Sequence, residues 1–274
     1  MDARETGMLL KTGAMLSLML CGCAGGGGAQ PGTSTPAPSS SPPSGAAPKL
    51  AQFNTYQTQG IIGENDSTLQ FKSLTTAGNT IWVGVTLSDY AGVHTISVTD
   101  TQGNVYTRLD QKNDPAPGSQ SVAHFYAANI AGDTSTPDTI TVVWTNENYK
   151  GVLAAEISGV TKAPLVAHGG NIQDALGVGT DNVTSGPLAV TSAQAPALLL
   201  ALSMNTSGGS SDTGGSGYGG PAAGSGLTQV MALWDWGVNL ATFATRSVTG
   251  AESVTGTFNA PDTDSYVTVA AVFH

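Results

Sequence analysis

Charge and cysteine are what this sequence has least of. Of its 274 residues only 10% are charged, 9 Lys and Arg against 19 Asp and Glu, and the formal net charge is −10. A basic complement that thin builds no positive patch or stripe, so nucleic acid is excluded as an expected partner. It also speaks against a helical protein, because exposed helix faces draw on Lys, Glu and Arg, and no long amphipathic helix pattern occurs. The only cysteines, Cys21 and Cys23, lie near the start, so the rest of the chain must be held by its buried apolar core rather than by disulfides. Catalytic signatures are missing as well. There is no G-x-S-x-G elbow, no H-E-x-x-H and no cysteine nucleophile, and His94, His124, His168 and His274 stand in no recognisable context. The chain is expected to be no enzyme and to use no cofactor and no metal.

What is present begins with a leader. Lys11 precedes the run Thr12–Leu20, which has the length of a secretory core (about 7–15 residues) and falls short of the roughly 20 that a spanning helix needs. Leu20-Cys21-Gly22-Cys23 closes that run. Cys23 has Gly22 before it and Leu20 three before it, whereas a cut ahead of Cys21 would follow the bulky Leu20. Asp2 and Glu5 cancel Arg4 and Lys11, so Met8 makes a cleaner start than Met1. A C-x-C pair with no further cysteine is a poor metal site. Residues 8–23 resemble the leader of bacterial lipoproteins. The resemblance implies a signal peptide over residues 1–22, lipid on Cys23 and a membrane partner reached through that lipid. Two or more acyl chains hold such a protein stably. Ala24, where an Asp would favour the inner membrane, implies the outer membrane or the cell surface. The resemblance concerns processing and carries no activity.

Residues 23–49 read as a tether. From Ala24 to Pro48 the chain is Gly, Pro, Ser, Thr and Ala with a single Gln and no charge, a composition that buries no core and spans about 25–30 Å as a flexible coil.

Residues 50–274 read as one all-β domain, a two-sheet antiparallel sandwich of jelly-roll type, with an immunoglobulin-like order as the alternative. The strands expected are Thr80–Leu87, Thr95–Thr99, Val105–Leu109, Val122–Ala127, Thr139–Thr145 and Gly151–Ile157. Ala197–Met204, Leu227–Trp234, Ala241–Val248, Val254–Phe258 and Tyr266–Phe273 follow. Ile81, Val83, Val85 and Leu87 alternate along one face, and Asp100–Asn104 reads as a hairpin turn. The two halves echo each other at a spacing of about 117–118 residues, which pairs Ile81 with Leu198, Phe125 with Phe243 and Tyr149 with Tyr266 and points to a pseudo-duplication. Ala77–Val85 and Ser97–Tyr106 resemble the glycine- and threonine-rich sandwich domains of bacterial exported proteins, a likeness of structure that brings no catalytic residue with it.

Few residues are candidates for chemistry. Trp234, Asp235 and Trp236 put two indoles on one side of a strand beside an acid, an arrangement suited to stacking on sugar rings, although such a pair is more often core. Tyr218 lies in the glycine-rich stretch Asn205–Gly226, a long loop able to shape a binding surface. Its G-x-G-x-x-G, Gly215–Gly220, precedes no helix and so is no nucleotide fingerprint. Asp110–Asp114 and Asp262–Asp264 offer carboxylates in turns without the ligand spacing of a calcium loop, and Lys112 opposes a cation. His124 reads as a satisfied core histidine, and Trp82 and Trp144 as packing residues. The expected function is a non-catalytic, membrane-anchored sandwich for ligand binding or adhesion, with a glycan or an envelope protein as partner. One alternative is a carbohydrate-active enzyme or its accessory module, with Glu156, Asp235 and Glu252 as conceivable acids. A structural envelope-assembly protein is the other.

Overall fold

Alternation of β-branched and small residues along short runs makes strands, and strands with two apolar faces must be covered on both sides. The computed structural model describes residues 46–58, 66–88, 95–114, 120–145, 149–174, 182–205, 222–235, 239–260 and 265–274. All of them fall in the second of two compact units, Pro42–His274. Residues 1–45, which hold the expected signal peptide, Cys23 and most of the expected tether, lie outside the described residues.

Sixteen strands form four antiparallel sheets, with no helix among the described residues. The first half holds β1 (Lys49–Thr58), β2 (Asp66–Gln70), β3 (Thr80–Ser88), β4 (Ile96–Asp100), β5 (Thr107–Asn113), β6 (Gln120–Ala127), β7 (Thr139–Trp144) and β8 (Tyr149–Ser158). The second holds β9 (Leu165–Asp174), β10 (Asn182–Val190), β11 (Ala197–Asn205), β12 (Ala222–Ala223), β13 (Thr228–Asp235), β14 (Asn239–Val248), β15 (Glu252–Asn259) and β16 (Ser265–Phe273). The first half has a large sheet ordered β1-β8-β3-β6-β5 and a small one ordered β2-β7-β4. In the second half the orders are β9-β16-β11-β14-β13 and β10-β15-β12, the same pattern eight strands on. Each half is thus a jelly roll whose fifth strand pairs at the edge of the large sheet, an order unlike the immunoglobulin one. The pseudo-duplication is real at the level of strand order.

Three apolar layers hold the four sheets together. Leu69, Ile96, Ile140 and Trp144 of the first small sheet meet Ile81, Val83, Val85 and Phe125 of the first large one. The two large sheets meet each other through Trp82, Leu153 and Ile157 against Leu200, Leu202, Phe243 and Phe273. Val183, Leu188, Val254 and Phe258 of the second small sheet cover Leu199, Ala201, Ala244 and Val272. Both faces of each large sheet are therefore buried, and the 225-residue sandwich expected from the sequence is two sandwiches joined back to back. Gly84 shows how close that seam is, because a Cβ there would lie 2.9 Å from Leu202 Cδ2 and 3.1 Å from the Trp82 ring.

Several expectations need correcting. Asp100–Asn104 is no hairpin, since β4 and β5 belong to different sheets and the turn carries the chain from the small sheet to the large one. β5 begins at Thr107 and runs to Asn113, so Asp110 sits on a strand rather than in a turn, and Val105 is 83% exposed ahead of it. The residue matches of the repeat are also out of step. Ile81 and Phe125 face the first small sheet, whereas Leu198 and Phe243 face the seam. A slip of one residue along a strand exchanges its two faces.

Candidate functional site

A polar cluster that joins the two halves lies at the edge of the seam. β5 is the edge strand of the first large sheet and brings Asp110, which follows a register shift between Arg108 and Asp110. β6 brings His124, paired across from Asp110, and β9, the edge of the second large sheet, brings His168 opposite Ala271. Gly169 and Gly170 follow His168, and a Cβ on Gly170 would come within 3.2 Å of Lys112 Cε, so bare backbone lets β5 and β9 approach here.

Asp110 Oδ2 is 3.0 Å from His124 Nε2 and 2.7 Å from His168 Nδ1. Behind it, Trp82 Nε1 donates to His124 Nδ1 at 3.2 Å. The indole nitrogen can only donate, so His124 Nδ1 must accept and its proton must sit on Nε2, aimed at Asp110. The network thus assigns the tautomer: Trp82 to His124 to Asp110, with His168 donating to the same carboxylate from the other side. Hydrogen bonds from His124, and then from His168, hold the Asp110 carboxyl well below the usual carboxylate range against the opposing effect of its burial. His124 is 0% exposed, and burial pushes its pKa down, more than the Asp110 carboxylate can push it up. A charged acid held between two imidazoles, one buried and neutral and one 38% exposed, is the outcome.

These three residues have ligand atoms within 4.8 Å of one another and are the natural place to test for a metal. A metal ligand must offer a lone pair, and His124 offers none toward Asp110 while Trp82 occupies its other nitrogen. Asp110 and His168 alone make too few ligands for a structural zinc site. The trio fits protons better than a metal, and it works as a hydrogen-bonded clamp between the halves.

The acids weighed for glycoside chemistry are otherwise engaged. Glu156 is 2% exposed and accepts from Gln52 Nε2 at 2.7 Å, from the Thr76 backbone N–H at 2.7 Å and from Asn79 Nδ2 at 2.6 Å. It ties the loop ahead of β3 to β8. Glu252 forms an ion pair with Arg246 at 2.5 Å. Asp235 and Trp234 close the ladder of β13, opposite Asn239 and Leu240, on the edge strand of the second large sheet. Their side chains, with Trp236, Tyr218, Cys23 and the Asp262–Asp264 acids, lie outside the described residues. Trp82 and Trp144 are packing residues, at 0% and 1% exposure. His124 is the partnered core histidine the sequence suggests. Its link to Asp110 and His168 was missed, and the available signal was an ionisable residue in the middle of each of three strands. Comparison with protein-family models, with curated proteins and with solved structures finds no match to this chain.

Proposed function

We propose that this chain is a lipid-anchored binding module of a bacterial cell envelope, non-catalytic, with the double jelly roll held off the membrane by the tether. The observation that carries this reading is the run Leu20–Cys23 closing a secretory-length apolar core and opening into 25 residues without charge. Support comes also from the build of the folded part. With the central strands of each large sheet buried on both faces, ligands meet strand edges, loops and the outer faces of the small sheets, where exposed residues alternate with buried ones. That is the build of a binding scaffold rather than of an interior active site. Trp234, Asp235 and Trp236, together with Tyr218 of the glycine-rich stretch, are the contact residues proposed, with a glycan as the ligand class.

Protease shaving of intact cells, with Cys23→Ala as control, tests the anchor. Digestion of the folded part on whole cells, together with release of the Cys23→Ala protein into soluble fractions, is the expected result. Protection until the envelope is opened would move the module inside the envelope and favour an assembly partner over an external ligand. Soluble wild-type protein would end the anchor reading. For the surface, Trp236→Ala is expected to lose retention on a glycan column while keeping its unfolding temperature, and unchanged retention would remove that site.

A further inference from the structure

A second cluster, away from the seam, gathers acids at the corner where β4 leaves the first small sheet. Asp100 closes β4. Its Oδ1 accepts the backbone N–H groups of Gln102 and Asn104 at 3.1 and 2.9 Å, and its Oδ2 accepts Asn104 Nδ2 at 2.7 Å and the Tyr106 hydroxyl at 2.9 Å. Asp138, just ahead of β7, is 0% exposed. Its Oδ1 accepts the Thr101 backbone N–H at 3.1 Å and the Thr101 hydroxyl at 2.6 Å, while its Oδ2 is buried with no partner. Asp133 completes the group: its Oδ2 takes the Thr75 N–H and hydroxyl at 2.8 Å each and the Asp138 N–H at 2.9 Å.

A buried carboxylate oxygen with nothing to bond costs free energy that a proton removes, because the protonated oxygen becomes a donor. Asp100 is the neighbouring acid whose negative charge further disfavours an ionised Asp138, and a protonated Asp138 becomes a donor that this carboxylate can accept. The groups acting on Asp138 are Asp100 from the end of β4, Thr101 from the turn and Asp133 from the loop before β7; the two charged ones are both anionic. Asp138 in turn acts on Tyr106, from the run into β5, whose hydroxyl is pushed up first by burial and then by Asp100. The Thr101 hydroxyl and backbone N–H, both donating to Oδ1, favour the ionised form.

We infer that Asp138 keeps a proton in the folded protein and shares it with Asp100, latching the β4–β5 turn to the entry of β7, and that loss of the proton loosens this corner. Thr101 and Thr139 flank the pair and also line, with Gln102, Thr134, Ser135 and Thr136, a surface hollow of about 290 Å³ that adjoins the latch. Burial, then the neighbouring acid, raises the Asp138 carboxyl to about 6. A pKa raised above the unfolded value of about 3.9 gives stability that is full below pH 4 and is lost as pH rises through 6.

Thermal unfolding of the full chain between pH 5 and 7.5, beside Asp138→Asn, tests the latch. The amide keeps an acceptor for Thr101 and a permanent donor for Asp100. Wild type is expected to lose about 3–5 °C that the variant keeps, and the amides of Gln102 and Asn104 are expected to exchange faster at the higher pH in wild type alone. Parallel curves for the two proteins would overturn the inference. Should the variant fail to fold, the wild-type Asp138 carboxyl carbon resonance decides: titration near pH 6 supports the latch, titration below 4 refutes it. Recovery of the lost stability at pH 7.5 by added calcium would also refute it, by filling the gap with a cation in place of the proton.

Discussion

The two halves share a strand order and differ in what they bury. Half one encloses His124, Asp138 and Glu156, and its inner layer is built from Ile, Val, Phe125 and Trp144. Among the described residues, half two buries no His, Asp, Glu, Lys or Arg. Its buried polar groups are Ser185, Ser203, Asn205, Thr242 and Thr268, and Ser203 and Thr268 satisfy each other at 2.9 Å. Ala197, Ala201, Ala244, Ala260 and Ala270 share the core of half two with Phe258 and Tyr266, and a Cβ on Gly256 would come within 2.7 Å of Ala201 Cβ. One topology therefore tolerates two fillings, one with buried ionisable groups, the other richer in alanine and with neutral buried polar groups. Pattern sets the sheet order, while the identity of the residues decides where the molecule responds to pH.

Trp82→Ala should be the most damaging change, because it opens the seam and frees His124 Nδ1 at once. Chemical denaturation is expected to show a loss of about 3–5 kcal/mol. A loss under 1 kcal/mol would mean that the halves do not depend on this contact. Next comes Glu156→Ala, which strips an acceptor from Gln52, Thr76 and Asn79 and should cost about 1.5–3 kcal/mol; the matching neutral test in half two, Ser203→Ala, should cost about 0.5–1.5 kcal/mol. Equal costs would erase the distinction between the halves.

The third test is the acid limb of the stability curve. Asp110, with its pKa held low in the folded state, gives stability present above about pH 4 and lost below it. His124, held neutral by burial, loses stability as pH falls below about 6.5. Asp110→Asn should therefore flatten the decline in acid, opposite in direction to the effect of Asp138→Asn at neutral pH. A wild-type decline retained in Asp110→Asn would assign it to His124 or to other carboxyls. Smallest of all, Val105→Thr at an exposed position should change stability by less than about 0.5 kcal/mol.

Much of the fold is legible in the sequence wherever alternation is unbroken. β3, β4, β6, β7, β8, β11, β13, β14, β15 and β16 fall within two residues of the runs expected at each end. β1, β2, β9 and β10 were not foreseen, for local reasons. β1 is rich in Gln, Asn and Thr and shifts register between Leu50 and Gln52. β9 carries Gly169-Gly170, and β10 carries Gly186-Pro187 with a register shift there, tolerated because β10 is an edge strand. The repeat was visible, but its residue pairing was not, since similar side chains lie on opposite faces in the two halves. The seam cluster was hidden for another reason: Asp110 and His124 are neighbours across a ladder, but His168 joins them only once two separately wound sandwiches are pressed together.

That pressing has a consequence for the order in which the chain is made. The first jelly roll is complete at Ser158, with one face of its large sheet still bare, and the strands that cover it include β16, whose last residue is Phe273. At about 5–20 residues per second, the exposed face waits roughly 6–23 s for its lid. A first half folded ahead of the second would therefore carry a bare apolar face, a site for aggregation until the last strand arrives.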